Sequence, residues 1–283
     1  RAFGWQAPQF AHLPLLLKPE GQGKLSKRDG DKFGFPVFPM EFKDEKTGEI
    51  SRGYREDGYF PEAFINMLAL LGWHSERDQE IFTMEELIQE FSLERVSKSG
   101  AKFDVAKTQW FQQQYLQKKT DAELSILLKD YIEKNKIAIP KYIDNTSYFV
   151  NKLVVLLRER AVFVADIYKT GKFFFETPSS YDEAAVKKVW QADTQEILEG
   201  LAELLASSPL FEAEHLEALI KNWITEKGYG MGKVFQPFRL ALVGNMSGPH
   251  VFDIAAVIGK DETLNRLKNI QKKLFEKSSS FFV

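Results

Sequence analysis

Between Lys24 and Gly30 the chain reads Lys24-Leu25-Ser26-Lys27-Arg28-Asp29-Gly30, three cations and a hydroxyl in a stretch flanked by Gly21, Gly23 and Gly30. Two lysines three positions apart, with a serine between them, can wrap a polyphosphate, and glycine lets the backbone come close to a ligand. The G-x-x-x-x-G-K-[ST] signature of a P-loop is absent, so phosphate would be held here by a different device. Basic loops are mostly solvated surface, and on these residues alone that plainer reading leads.

Two further cationic features could carry chemistry. Arg158 and Arg160 flank Glu159 within a helix expected from Ser147 to about Tyr168, where they point to opposite sides. As residues they fit a solvated, charge-balanced face. Arg239 stands alone in the apolar run from Pro237 to Val243, followed by Gly244-Asn245-Met246-Ser247-Gly248-Pro249 and a new helix start. A fork-shaped guanidinium beside the backbone donors of a helix N-terminus could hold a base or a phosphate. Equally, Arg239 could be a buried arginine that only ties helices together. No paired-carboxylate, Ser–His–Asp or H-E-x-x-H arrangement accompanies these residues.

The elements that must position them divide near Phe60. Up to about Gly58 the chain is rich in glycine and proline. There Phe10-Ala-His-Leu-Pro-Leu-Leu-Leu17 is expected as a buried strand or core segment at the edge of something larger, and Phe33–Ser51, with Lys46-Thr-Gly-Glu49 at its turn, as a small β-hairpin. From Pro61 onward the periodicity is helical. Pro61 sits at a first helical position, Thr83-x-x-Glu86 and Thr120-x-x-Glu123 read as capping boxes, and Asp104 caps the helix carrying Trp110, Phe111 and Tyr115, aromatics expected in the core. Further helices are expected over 181–191, 194–206, 212–226, 234–243, 249–258 and 262–276.

Composition narrows the class. The 283 residues contain no cysteine and four scattered histidines, which leaves no disulfide, no thiolate site and no metal-ligand spacing. No apolar run approaches the ~20 residues of a membrane span, and the first residues lack the layout of a signal peptide. A cytosolic protein is the expectation. The formal net charge of −2 does not advertise a nucleic-acid binder, although phosphate binding needs only a local basic surface.

Taken together, several stretches resemble bacterial-type glutamyl-tRNA synthetases, class I aminoacyl-tRNA synthetases. They are Phe10–Leu17, Lys24–Arg28, Gly58-Tyr-Phe-Pro-Glu-Ala-Phe64, Leu68-Ala-Leu-Leu-Gly-Trp73, Phe103-Asp-Val-Ala-Lys107 with Trp110, and Arg239–Gly259. They follow the family's order and cover nearly the whole chain. The resemblance implies a mainly α chain: the end of a class I (Rossmann-type) catalytic domain with a small β insertion and stem-contact helices (1–118), then all-helical anticodon-binding domains at 119–182 and 183–283.

The resemblance also implies roles. Lys24–Arg28 would be the KMSKS loop, with Lys24 and Lys27 contacting ATP phosphates and acting in catalysis and Ser26 supporting the loop. Arg160 would sense the third anticodon base, while Arg239, Gly248, Pro249 and Val251 would line the others. Relatives can carry a side-chain hydroxyl where this chain has Gly248, so only backbone is left for contact there. The HIGH motif and the glutamate pocket belong to the family's N-terminal half, and neither is among these residues. The chain therefore reads as a C-terminal fragment, inactive alone, of a glutamate–tRNA ligase that uses glutamate, ATP and Mg²⁺ and acts on tRNA(Glu) as a cytoplasmic monomer without membrane contact. A glutaminyl-tRNA synthetase is disfavoured because its anticodon module is built of β-barrels. The rival from another class is a non-catalytic tRNA-binding module derived from a synthetase.

Overall fold

The computed structural model describes residues 2–21 and 23–279, without the side chains of Lys27, Asp31 and 275–279. The chain forms two compact units, one of residues 1–120 with 161–164 and one of 121–160 with 165–283.

In the first unit, β1 (Leu16–Leu17) precedes α1 (Lys27–Phe33), the hairpin strands β2 (Phe42–Lys43) and β3 (Ile50–Ser51), then α2 (Pro61–Leu70), α3 (Met84–Glu90), β4 (Ala101–Lys102) and α4 (Val105–Lys118). β1 pairs with β4 in parallel, and β2 with β3 antiparallel. The hairpin turn is held by Asp44, whose carboxylate accepts the amides of Lys46 (2.8 Å) and Thr47 (3.1 Å), an Asx turn. Both caps expected in this region form: Thr83 Oγ1 accepts the Glu86 amide and Asp104 Oδ1 the Lys107 amide.

Phe35, Tyr54, Met67, Phe103 and Phe111 make the core of this unit, and Trp73, Phe82 and Leu87 a smaller satellite. Two buried amides fasten its helices. Gln112 accepts the Phe60 amide at the start of α2 (2.8 Å), and Asn66 accepts the Phe82 amide (2.8 Å) and donates to Glu80 O (3.0 Å). Such bonds matter because a buried polar group left unpaired costs about 1–3 kcal/mol.

The expectation of a buried Phe10–Leu17 is corrected here. Phe10 is 80% and Leu13 67% exposed. Only Leu16 and Leu17 find a neighbouring strand, and it is two residues long. With so short a ladder, the apolar residues before it find little among the described residues to pack under.

The second unit comprises α5 (Asp121–Lys134), α6 (Thr146–Leu157), α7 (Val164–Thr170), α8 (Glu183–Val189), α9 (Thr194–Ser207), α10 (Ala213–Lys227), α11 (Met231–Val243) and α12 (Val251–Ser279), the last kinked at Gly259. Leu124, Leu128 and Ile132 of α5 are buried, as are Phe149, Val150, Leu153 and Val154 of α6, and these two helices pack together. Around α11 and α12 a second core gathers Leu198, Leu201, Ile220, Val234, Phe238 and Ile254, all at most 1% exposed.

The single helix expected over 147–168 is broken. It ends at Leu157, passes through a 3-10 turn at Arg158–Arg160, and α7 begins at Val164. The break has a physical cause: residues 161–164 belong to the first unit, where the Phe163 ring meets Tyr59 edge-on at 4.9 Å. Among the described residues, no helix is long and apolar enough to cross a membrane.

Candidate functional site

The basic loop is not a free coil. Leu25 donates to Leu16 O (2.7 Å) and Lys18 to Gly23 O (3.1 Å), which folds the segment back on β1. Ser26 then takes an extended conformation and caps α1, so Lys27 and Arg28 occupy its first turn. The side chain of Lys27 lies outside the described residues, and Lys24 is exposed.

Asp29, which the sequence reading passed over, organises this loop. One of its oxygens accepts both the Ser26 amide (2.8 Å) and the Ser26 hydroxyl (2.5 Å), and the other lies 3.0 Å from Lys18 Nζ. The Ser26 hydroxyl, then Lys18, hold the Asp29 carboxyl below the usual aspartate range. The signal available in the sequence was the Ser-x-x-Asp spacing, an acidic variant of the capping box. Ser26 is thereby engaged inside the protein, which suits a supporting part.

The hairpin insertion backs this helix. A Cβ built on Gly30 would come within 2.4 Å of Val37 Cγ2 and 2.9 Å of Phe35 O. Only glycine admits so close an approach.

In the second unit the four arginines of interest separate sharply. Arg158 pairs with Asp121 at the start of α5. Arg160, two residues on, is exposed with no acid partner among the described residues. Arg239 on α11 is half-buried, donates only to Ser247 O (3.3 Å), and also has no acid partner among the described residues. Burial draws its pKa below the ordinary value, although a guanidinium stays charged at neutral pH. The buried arginine that ties helices does exist, but it is Arg266.

Arg239 borders the turn 244–250 before α12. Gly248 has φ +111°, and a Cβ there would stand 3.4 Å from the Phe173 ring and 3.7 Å from Arg239 Nη1. A side chain would be strained in this conformation and would fill the gap between ring and guanidinium. Pro249 is half-buried beside it. Val251 as a whole is 3% exposed, so its side chain is buried, and its amide is one of the first of α12 that lack an intrahelical acceptor. Arg239, Gly248, Pro249 and Val251 thus come together. Next to them opens a cavity of about 470 Å³, its lining including Lys172, Phe173, Thr177, Tyr181, Gly244 and Ser247. That volume falls in the common range of small-ligand sites, about 300–1,000 Å³.

The family model for the class I tRNA synthetase (E and Q) catalytic domain matches residues 1–110, and that for the anticodon binding domain matches residues 123–271. The glutamate–tRNA ligase of Christiangramia forsetii is 51% identical over 268 residues, 95% of this chain and 52% of that protein. The corresponding ligase of Porphyromonas gingivalis is 50% identical over 270 residues, with the same coverage of each chain, 95% and 52%. Among solved structures, a glutamate–tRNA ligase from Elizabethkingia meningosepticum in complex with its amino acid superposes with a TM-score of 0.88 at 48% identity, covering 96% of this chain and 53% of that one. The chain spans about half the length of the curated relatives it matches.

Proposed function

Because the chain belongs to the glutamate–tRNA ligase family of class I tRNA synthetases, we propose that it supplies the ATP loop and the anticodon-reading part of an enzyme that esterifies glutamate to tRNA in the cytoplasm, as a monomer. In this reading residues 119–182 and 183–283 act as two helical anticodon-binding domains.

The loop's part follows from its charge. Adenylate formation moves negative charge onto departing pyrophosphate, and an ammonium fixed where that charge develops stabilises the transition state more than the ground state. Lys24 and Lys27 take that role. Ser26, bonded to Asp29, keeps the backbone between them in one conformation. Among the described residues no group of three acidic or histidine side chains could hold a metal. Mg²⁺ would therefore arrive with ATP, and no step is assigned to it through this chain.

The observation that carries the RNA side is the half-buried guanidinium of Arg239, acid-free among the described residues and bonded to Ser247 O in the cavity lining. Arginine there can meet a base edge with two parallel donors. The neighbouring amides of α12 suit an acceptor on a neutral base better than a phosphate, because Asp253 already places a negative charge in the first turn. Arg160, exposed and acid-free on its 3-10 turn, reads the third anticodon base.

Two measurements on the 283-residue chain test this. Filter binding with glutamate tRNA transcripts is expected to give an affinity that falls steeply with salt, and ATP–pyrophosphate exchange is expected to be absent. Salt-insensitive or absent tRNA binding would overturn the anticodon reading. Measurable exchange would overturn the assignment of the remaining active-site groups to another part of the enzyme.

A further inference from the structure

Arg266 is the largest fully buried side chain among the described residues, 0% exposed. Its hydrogen bonds reach four separate segments. Nε donates to Glu262 Oε1 (2.7 Å) on its own helix. Nη1 donates to Phe173 O (2.8 Å) and to Leu242 O (2.6 Å), and Nη2 to the Tyr142 hydroxyl (3.1 Å). That hydroxyl in turn donates to Phe174 O (2.8 Å). Glu262 extends the reach, accepting the Thr177 hydroxyl at 2.5 Å on one oxygen and Asn265 at 3.0 Å on the other.

Two of these endpoints, Phe173 and Thr177, belong to the lining of the cavity beside Arg239, and a third, Leu242, directly precedes Val243 and Gly244, which also line it. The Phe173 ring is also the group that faces Gly248. A single guanidinium thus fixes two backbone carbonyls, one in the cavity lining and one next to it in sequence, while Glu262 holds a third point through Thr177. Ion pairs sunk this deep often give less stability than apolar residues of equal volume. What a planar fork with five donors does give is fixed distances between its acceptors.

We propose that Arg266 is a positioning residue that sets the spacing between Phe173 and the 242–244 segment at the cavity and so determines which bases the cavity accepts, without touching RNA itself. Thr177 and Tyr142 are the two outer contacts of this clamp. Glu262 fits the part: burial pushes its carboxyl up, but the bonds from Thr177, Arg266 and Asn265 outweigh that and leave it below the usual range. Burial pushes Tyr142 up to about 12, so it stays neutral and can accept from Arg266 while donating to Phe174 O.

The inference rests on the anticodon reading above, and the experiment separates the two. The 283-residue chain, and its Thr177→Val and Tyr142→Phe variants, are titrated with anticodon stem-loop RNAs bearing the glutamate anticodon, a middle-base change, or a third-base change. Thr177→Val removes the hydroxyl bond to Glu262, Tyr142→Phe removes the bond to Phe174 O and the one from Arg266, and both leave the Arg266–Glu262 pair intact. Both are expected to lose roughly three- to tenfold of the preference for the correct middle base, with the third-base preference, assigned to Arg160, unchanged. A purely structural role would lower both preferences together or neither. Retention of the middle-base preference in both variants, or equal loss at the two positions, overturns the clamp while leaving the anticodon reading in place. Failure of the unsubstituted chain to prefer the correct middle base overturns that reading and the clamp with it.

Discussion

Lys24 in the basic loop and Arg239 beside the cavity are both cations without an acid partner among the described residues, yet their surroundings differ in kind. Lys24 is exposed on a segment whose shape depends on two backbone bonds to the β1 region and on Asp29. Arg239 is half sunk between helices, in a frame locked by Arg266 from behind. A loop held by few contacts opens at low free-energy cost, whereas a packed network opens only with its unit. The same charge therefore serves two purposes. On the proposed function, at the loop it would follow phosphates that shift during reaction, and at the cavity it would meet a base in a shape fixed beforehand.

The contrast is broken most directly through Arg266. Arg266→Met would strand the buried Glu262 carboxylate and free the carbonyls of Phe173 and Leu242, and deleting one partner of a buried pair costs about 3–5 kcal/mol. Urea unfolding of the second unit is expected to show that loss as a midpoint lowered by the same free energy divided by the slope, with the slope itself unchanged. Lys24→Ala in the loop is expected to stay within about 0.5 kcal/mol of the unsubstituted chain, as exposed substitutions do. Equal losses at the two positions would erase the distinction between a fixed frame and a tethered loop.

A smaller effect sharpens it within the second unit alone. Arg239→Ala removes a cation that pairs with no acid among the described residues, so folding should change little. Binding to glutamate tRNA should weaken by roughly 1–3 kcal/mol, the value of one good arginine–base contact. Arg158→Ala is the matched control: its charge is already engaged by Asp121, so it is expected to alter tRNA affinity far less. Comparable weakening by the two would show that bulk charge matters there and placement does not.

What was legible in the sequence was what is local. The caps at Thr83 and Asp104, the hairpin around Asp44, the helix periods of the second unit and the Gly/Asn/Ser turn after Arg239 all depend on residues within a few positions of one another. The break after Leu157 was not legible, because the Tyr59 ring that meets Phe163 comes from a part of the chain far back in sequence. The clamp was hidden for the same reason. Glu262 and Arg266 look like an ordinary i,i+4 surface pair, and only packing brings in acceptors 24, 93 and 124 positions away. Of the two readings left open for Arg239, the arginine that ties helices is the one that Arg266 fulfils.

The loop side of the comparison is sharpened by acid. Asp29 is held below the usual aspartate pKa by the Ser26 hydroxyl and then by Lys18. Its bonds therefore favour the folded loop at any pH above the ordinary value of about 3.9, and that contribution is lost as pH falls through the lowered native value. Amide exchange at Ser26, whose N–H is bonded to Asp29, is expected to lose protection in that acid window, while the amides of α11 keep theirs until the second unit unfolds. Asp29→Asn should produce the weakened state at neutral pH, since a neutral amide pairs poorly with Lys18 and binds the Ser26 hydroxyl and amide less strongly than a carboxylate does. Ser26 protection that persists in Asp29→Asn would mean that the backbone bonds to Leu16 and Gly23 suffice, and the loop would then be as preformed as the cavity.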